Sequence, residues 1–420
     1  MKDKTIINIK KTMLTKLSVL FLGLVLVLTA CGGNENAETG SETEASGQDP
    51  VKLGFTLSLT GNYAFMGEGV KEGIELYFEE NDYKIGSRDV ELLIEDDGGD
   101  PQKALQNYQQ LTMNHQVDFF GGGVIGSIAY ALTEAVEQDK QVPMINVVGS
   151  GNSLSWEDQS DYSWRIGFSS IQYAGTQGED VAENIGETAV VVASDYVAGH
   201  EIATDFVANY EENGGEVLDV MWPASGTSDF SSYLSQIKQT DPEAVFFFFP
   251  GADGPRFIQQ FKDFGLGEKY GLIDGSSVLN APSTIESVGE DVVGGQTIAH
   301  YYPGLENDLN KQFVKSYEEK YSKTPDAYVV NGYDTGKLIA ETIEQAGSTN
   351  SDDLVAALND GISFDSPRGP ITLDPDTNHP TQNLYILEGI EENGEVSFEL
   401  LRTYEEVAMP TENPGYTPQK

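Results

Sequence analysis

A chain of 420 residues, 39% of them hydrophobic, is long enough for two or three domains with cores of their own. Its 68 acidic and 24 basic residues leave a net charge of −44, which excludes nucleic acid as a natural partner and leaves no basic patch to read as one. Cys31 is the only cysteine, so no disulfide framework holds the fold and the apolar core must do so.

The amino terminus opens with Lys2, Lys4, Lys10, Lys11 and Lys16, followed by an apolar run from Leu17 to Ala30. That run is short for a membrane span and right for a signal-peptide core. It ends in Leu28-Thr29-Ala30-Cys31, which resembles a bacterial lipobox; the resemblance implies that residues 1–30 are removed and that Cys31 is lipidated. Residues 31–50 are Gly, Ser, Thr, Glu and Asn with almost nothing apolar, the composition of a flexible tether.

Val51 to Leu59 alternates as a strand does, Thr60-Gly61-Asn62 breaks it, and Val70, Ile74, Tyr77 and Phe78 mark a helical face. Val90 to Ile94 is the next strand, and Asp100-Pro101 supplies an N-cap and first turn for a helix to Leu111. A short apolar run at Val117 to Phe120 then leads into Gly121 to Gly123. Ile128, Leu132, Ala135 and Val136 follow at helical spacing, and Val142 to Val148 is a second apolar run. Strand, helix and strand in that order predict a βαβ unit with parallel strands. Its two strand-end loops, GGGVIGS and VVGSGNS, should lie side by side on one sheet edge, where open parallel sheets bind small ligands. Ser127, Ser150 and the nearby amides are therefore candidates to hold a ligand carboxylate; the bland alternative makes both serines turn or cap residues. Gly121-x-Gly123-x-x-Gly126 has the form of a dinucleotide fingerprint, but Asn146 and Val147 stand where an acid is wanted.

From Tyr173 the same grammar repeats, with strands at Ala189–Ala193, Glu216–Val220, Ala244–Phe249 and Gly271–Ile273 separated by helical stretches. Two consecutive helices, Asn307–Tyr321 and Tyr328–Ala346, interrupt it and read as a return to the first lobe. Asn393-Gly394 joins two strands in a hairpin that closes the second. The expected fold class is α/β, two doubly wound lobes joined by three crossovers. The first lobe takes residues 51–168 and 302–370, the second takes 169–301 and 371–408, and 409–420 is a tail.

In colinear order, GFTLSLTGNYAFMGEGVKEGIEL, EDDGGDPQKA, the two Gly/Ser loops, SDYVAG, FFFFPGADGPRF and NGYDTG resemble the type I periplasmic binding proteins, within them the branched-chain amino acid group. The likeness runs over about residues 51–405. It implies a lipid-anchored, extracytoplasmic receptor that acts as a monomer, binds a hydrophobic amino acid or related carboxylate between its lobes and hands it to an ABC permease. The rival readings are a sensor coupled to a signalling partner and a binder of aromatic or organic acids or amides rather than amino acids. Carried over by position, Gly126, Ser127, Val148, Gly149 and Ser150 would hold the carboxylate and Asp274 the ammonium. Tyr63, Met66, Tyr196, Pro250 and Tyr328 would line the pocket. Three departures loosen the ligand class: Ile125-Gly126 replaces the usual serine pair, Ala198 precedes Gly199 where amino-acid binders commonly carry tyrosine, and Pro250 replaces another tyrosine.

No cofactor, metal or catalytic group is expected. His115, His200, His300 and His379 are scattered without an HExxH pairing, and there is no Gly-x-Ser-x-Gly elbow. Asp274 before Gly275 could equally cap a turn. Arg165, Arg256 and Arg368 suit structural ion pairs, and Arg165, near a predicted crossover, is also open to a hinge or ligand role.

Overall fold

The computed structural model describes residues 49–416. The expected signal segment, Cys31 and nearly all of the tether lie outside the described residues, as do residues 417–420.

The first lobe is built from β1 (Val51–Leu57), α1 (Ala64–Glu80), β2 (Lys84–Ile85), β3 (Arg88–Asp96), α2 (Pro101–Gln109), β4 (Phe119–Gly122), α3 (Gly126–Asp139), β5 (Met144–Asn146) and β6 (Ser163–Arg165). Its sheet has the order β2-β3-β1-β4-β5-β6, parallel except for β2. The chain then enters the second lobe through α4 (Ser170–Asn184), β7 (Thr188–Ala193), α5 (Val197–Glu212), β8 (Glu216–Met221), α6 (Ser231–Thr240), β9 (Ala244–Phe248), α7 (Asp253–Asp263), β10 (Gly271–Asp274), α8 (Pro282–Val288) and β11 (Gly295–Ala299). It returns to the first lobe as α9 (Asp308–Tyr321), α10 (Ala327–Ala346) and α11 (Ser351–Asn359), and finishes with β12 (Ser363–Ser366), β13 (Gly369–Asp374), β14 (His379–Glu392) and β15 (Glu395–Val407). The second sheet runs β12-β13-β14-β11-β10-β9-β7-β8, with β15 on the far side of β14. The fold class is the expected one, two α/β lobes with parallel central strands.

Both sheets are covered on both faces. Phe55, Phe119 and Ile145 look one way in the first lobe, while Tyr108, Phe120 and Met144 look the other. Phe246, Phe247 and Phe249 are buried in the second lobe, as a doubly wound sheet requires of its central strands.

The return of α10 to the first lobe depends on small residues. A Cβ on Gly73 of α1 would sit 1.9 Å from the Val329 carbonyl oxygen of α10, and one on Gly332 would sit 2.0 Å from that of Val70. The helices therefore touch backbone to backbone. Asp326 fixes where α10 starts, its Oδ1 accepting the N–H groups of Tyr328 and Val329.

The crossovers meet around Arg368. Its guanidinium donates to Asp334 Oδ2 at 2.6 Å, to the Ile166 carbonyl at 2.7 Å and to Gln382 Oε1, and both charged partners are fully buried. Gln382 in turn donates to the Gly167 carbonyl, so the first and third crossovers are tied through one side chain. The boundary expected between residues 370 and 371 falls inside β13. That strand is hydrogen-bonded to β14 of the second sheet, yet Ile371 and Leu373 pack into the first lobe's core. A short hairpin can serve both lobes, because its ladder edge and its side-chain face point in different directions.

Candidate functional site

The two glycine-rich loops are neighbours. Gly149 donates its N–H to the Gly123 carbonyl at 2.9 Å and to Asn146 Oδ1 at 3.0 Å, while Val147 donates to the Gly122 carbonyl. The glycines are there for contact: a Cβ on Gly149 would lie 2.5 Å from Ala129 Cβ, and one on Gly121 would lie 2.6 Å from the Phe55 ring. Close packing of strand, loop and helix accounts for the run without a nucleotide.

α3 begins immediately after the first loop with Ile125 at its N-cap, a residue that cannot accept a hydrogen bond through its side chain. Among the described residues no acceptor meets the N–H groups of Gly126, Ser127 and Ser150. They form an open set of donors at a helix start, where the aligned peptide dipoles add partial positive charge. Ser127 is exposed, Gly126 and Ser150 are half-buried, and Val148 and Gly149 are buried. Gly149 departs from expectation in one respect, since its amide is already used within the loop.

Behind this loop stands Arg165, the last residue of β6 and 2% exposed. It donates to Ser155 Oγ at 3.0 Å and to the carbonyls of Gly149 at 2.9 Å and Phe168 at 3.3 Å. Its Nε has no partner, and no carboxylate lies within ion-pair distance among the described residues. Burial lowers the guanidinium to about 10, with Tyr130 and Glu201 acting against that through space; it stays charged at neutral pH. Because the peptide is trans, drawing the Gly149 carbonyl onto Arg165 turns the Ser150 N–H away from the guanidinium.

The second lobe presents α5. Tyr196 is its N-cap and gives no side-chain cap, so this helix also starts with open donors. Partial enclosure, and after it the nearby Tyr63, push the Tyr196 hydroxyl up to about 12, which places tyrosines of the two lobes within electrostatic reach of each other. Tyr63, Tyr196 and Pro250 are exposed. Met66 and Tyr328 are half-buried against the first lobe's core, and Tyr328 meets Phe65 edge-on at 5.6 Å.

Asp274 does not take the position expected of an ammonium partner. It is fully buried at the end of β10, with its carboxylate turned into its own lobe. Oδ1 accepts the Ser276 N–H at 2.8 Å and the Ser276 hydroxyl at 2.6 Å. Oδ2 accepts the Leu279 N–H at 2.8 Å and the Thr297 hydroxyl at 3.0 Å. The acid caps the Gly275–Leu279 turn, and these four donors take up its accepting capacity.

A second group of residues went unnoticed in the sequence. Phe168, on the first crossover, stacks on Tyr173 with ring centres 3.9 Å apart. Tyr173 lies 2.5 Å from His300 Nδ1 and also accepts the His300 N–H, while His300 Nε2 lies 2.8 Å from Asn331 Oδ1. Burial, then the charge of Arg368, lower the His300 ring to about 3, so it is neutral, with its proton on Nε2 facing Asn331. These four residues belong to three widely separated stretches, and no local spacing links them.

Beside the second loop lies a cavity of about 570 Å³ lined by Tyr130, Asn152, Trp156, Glu201, Asp205 and Tyr416 among others. Asn152 spans the lobes there: its N–H reaches Glu201 at 2.7 Å and its side-chain amide reaches Asp205 at 2.8 Å. Among the described residues no group of three or more His, Cys, Asp or Glu side chains is placed to hold a metal ion. No described helix is long and apolar enough to cross a membrane.

Comparison with known proteins agrees with this architecture. The family described as "Periplasmic binding protein" matches residues 50–395. A Leu/Ile/Val-binding protein homolog of Brucella abortus is 29% identical over 347 residues, covering 81% of this chain and 87% of the relative. Among solved structures, an ABC transporter substrate-binding protein from Sphaerobacter thermophilus superposes with a TM-score of 0.82 at 26% identity, covering 86% of this chain and all of its own. A solute-binding protein of an ABC transporter from Rhodopseudomonas palustris, solved with 3,4-dihydroxybenzoic acid, gives 0.76 at 28% identity, covering 86% of this chain and 99% of its own. These relatives are solute-binding proteins rather than enzymes. The chain belongs to the type I periplasmic binding proteins of the branched-chain amino acid family, extracytoplasmic substrate-binding proteins of ABC transporters.

Proposed function

We propose that this protein is the lipid-anchored receptor of an ABC importer and clamps a small, largely hydrophobic carboxylate between its lobes. The observation that carries the reading is the open donor set of Gly126, Ser127 and Ser150, backed by the buried Arg165. An anion placed there meets N–H groups that the protein itself leaves without an acceptor, with the buried Arg165 held on the far side of the Gly149 carbonyl. Relatives named for branched-chain amino acids and a relative solved with a dihydroxybenzoate both support an organic acid as cargo. Tyr63 and Met66 from the first lobe and Tyr196 and Pro250 from the second would touch the solute together only when the lobes close. Binding energy is then coupled to closure, and the closed surface is what a permease reads. Cys31 would carry the diacyl anchor that keeps the receptor at the membrane.

Small-angle scattering combined with calorimetry tests this. A cognate acid should bind near micromolar affinity, about −8 kcal/mol, and shrink the radius of gyration. Binding with no change in shape would count against the clamp. Ligand-dependent uptake that requires the partner permease separates transport from sensing, and loss of membrane retention in Cys31→Ser tests the anchor.

A further inference from the structure

The receptor reading has two lobes close over a solute, and one side chain beside the cleft joins its two walls. We propose that Asn152 is a positioning residue of the receptor: it fastens the second lobe to the loop that offers the Ser150 amide, and so sets how readily the cleft opens. The inference rests on the receptor reading and concerns the same site, but it does not depend on which solute is bound.

Asn152 belongs to the first lobe by its surroundings. It follows Ser150 by two residues, in a loop that the first lobe grips on both sides. Arg165 of β6 holds the Gly149 carbonyl at 2.9 Å, and the Tyr130 hydroxyl of α3 lies 2.9 Å from Ser153 Oγ. Gly151 passes so close to α3 that a Cβ there would sit 2.1 Å from the Tyr130 hydroxyl. The loop is thus bound to β6 and to α3, the helix whose start carries the open donors.

Asn152 itself is 5% exposed and turns its N–H and both ends of its side-chain amide towards the second lobe. The N–H donates to Glu201 Oε1 at 2.7 Å, the side chain donates to Asp205 Oδ2 at 2.8 Å, and its Oδ1 accepts the Ile171 N–H at 3.0 Å. Ile171 lies at the start of α4, directly after the first crossover, where opening moves the chain least. Glu201 and Asp205 stand one turn apart on one face of α5, and the start of that helix at Tyr196 is the second lobe's wall of the cleft. An opening that carries α5 away from the loop has to break both bonds to it. Burial pushes Glu201 up, and burial with the nearby Glu201 pushes Asp205 up to about 7. Both acids therefore sit where water serves them poorly and a fixed donor counts for more. The tail follows the same seam. Trp156 Nε1 donates to the Pro410 carbonyl at 2.8 Å and Asn413 Nδ2 donates to Glu157 Oε1 at 2.7 Å, so residues 409–416, arriving from β15 of the second sheet, tie onto the first-lobe loop beside Asn152.

Distances between spin labels on the full chain read this without any solute. Cys31 is the only cysteine, so Cys31→Ser with Phe65→Cys and Val197→Cys puts one label on each lip of the cleft, at positions 57% and 84% exposed. Asn152→Asp sets a third acid against Glu201 and Asp205, and at pH 8 it should raise the ratio of open to closed molecules roughly 10-fold or more. Adding Asp205→Asn exchanges donor and acceptor across the same bond and should return the ratio to that of the parent. Asp205→Ala removes the contact from the second lobe and should open the cleft even where the loop variant fails to fold. An unchanged ratio in Asn152→Asp and Asp205→Ala overturns the inference and leaves the receptor reading standing. A lower thermal midpoint with no change in ratio does the same, as does a raised ratio that the paired exchange fails to restore. A single separation in every variant, with no open population, overturns both readings.

Discussion

At the level of single residues, the side chains whose surroundings set their function are Asp274, Arg165 and Asp205. Asp274→Ala removes the acceptor of four donors, of which the Leu279 amide and the Thr297 hydroxyl are buried. Its expected effect is a loss of about 2–3 kcal/mol in folding stability, read by urea denaturation. An unchanged midpoint would show that the turn does not need its cap. Asp205 offers a pH signature. Burial, reinforced by Glu201 and opposed by Asn152, pushes it up to about 7 from an ordinary 3.8. The folded protein thus binds that proton more tightly than the unfolded chain, so stability should rise as pH falls from about 7 towards 4 and be lost again as pH rises through 7. Asp205→Asn should flatten that part of the profile, and a mutant profile parallel to the wild type would assign the slope to other groups. The sequence could place Ser127, Ser150 and Asp274 at strand ends, because apolar runs and breakers mark those positions. It could not say which way the Asp274 carboxylate turns, because one of its donors, Thr297, is 23 residues away.

Among the elements, α1 and α10 show most clearly how side-chain volume governs assembly. Gly73 and Gly332 sit where any Cβ would strike the backbone of the opposing helix. Backbone cannot swing aside as a flexible side chain can. Gly332→Ala is therefore expected to cost roughly 1–3 kcal/mol or more, with Gly73→Ala behaving alike, measured as a fall in the thermal midpoint. A neutral result would mean that the helices can separate without penalty. Two of the three helices of the return segment, α9 and α10, were legible from their apolar spacing, while α11 was not, and Asn393-Gly394 marked the hairpin, where both residues have positive φ of 56° and 84°. Besides α11, the missed elements were mostly short, although β13 has six residues. β6 and β11 have three and five residues, too few for alternation to stand out, and they are strands because neighbours already in the sheet offer them hydrogen-bonding edges.

For the molecule as a whole, charge matters most. A net −44 spread over 420 residues repels itself in the compact state. Screening shortens the range of that repulsion from about 10 Å at 0.1 M salt to about 3 Å at 1 M. The thermal midpoint should therefore climb between low and molar sodium chloride, and a flat response would mean that local ion pairs already absorb the repulsion. The order of strands and helices, the doubling of the lobe and the two small-residue loops were all written in local pattern, since periodicity and breakers act over a few residues. Only the folded chain decided that Arg165 would be buried without an acid, that Asp274 would serve its own lobe, and that Arg368 would join the crossovers. Each of those outcomes depends on partners brought together from distant stretches, and a hydrogen bond's direction is set by where both of its ends finally lie.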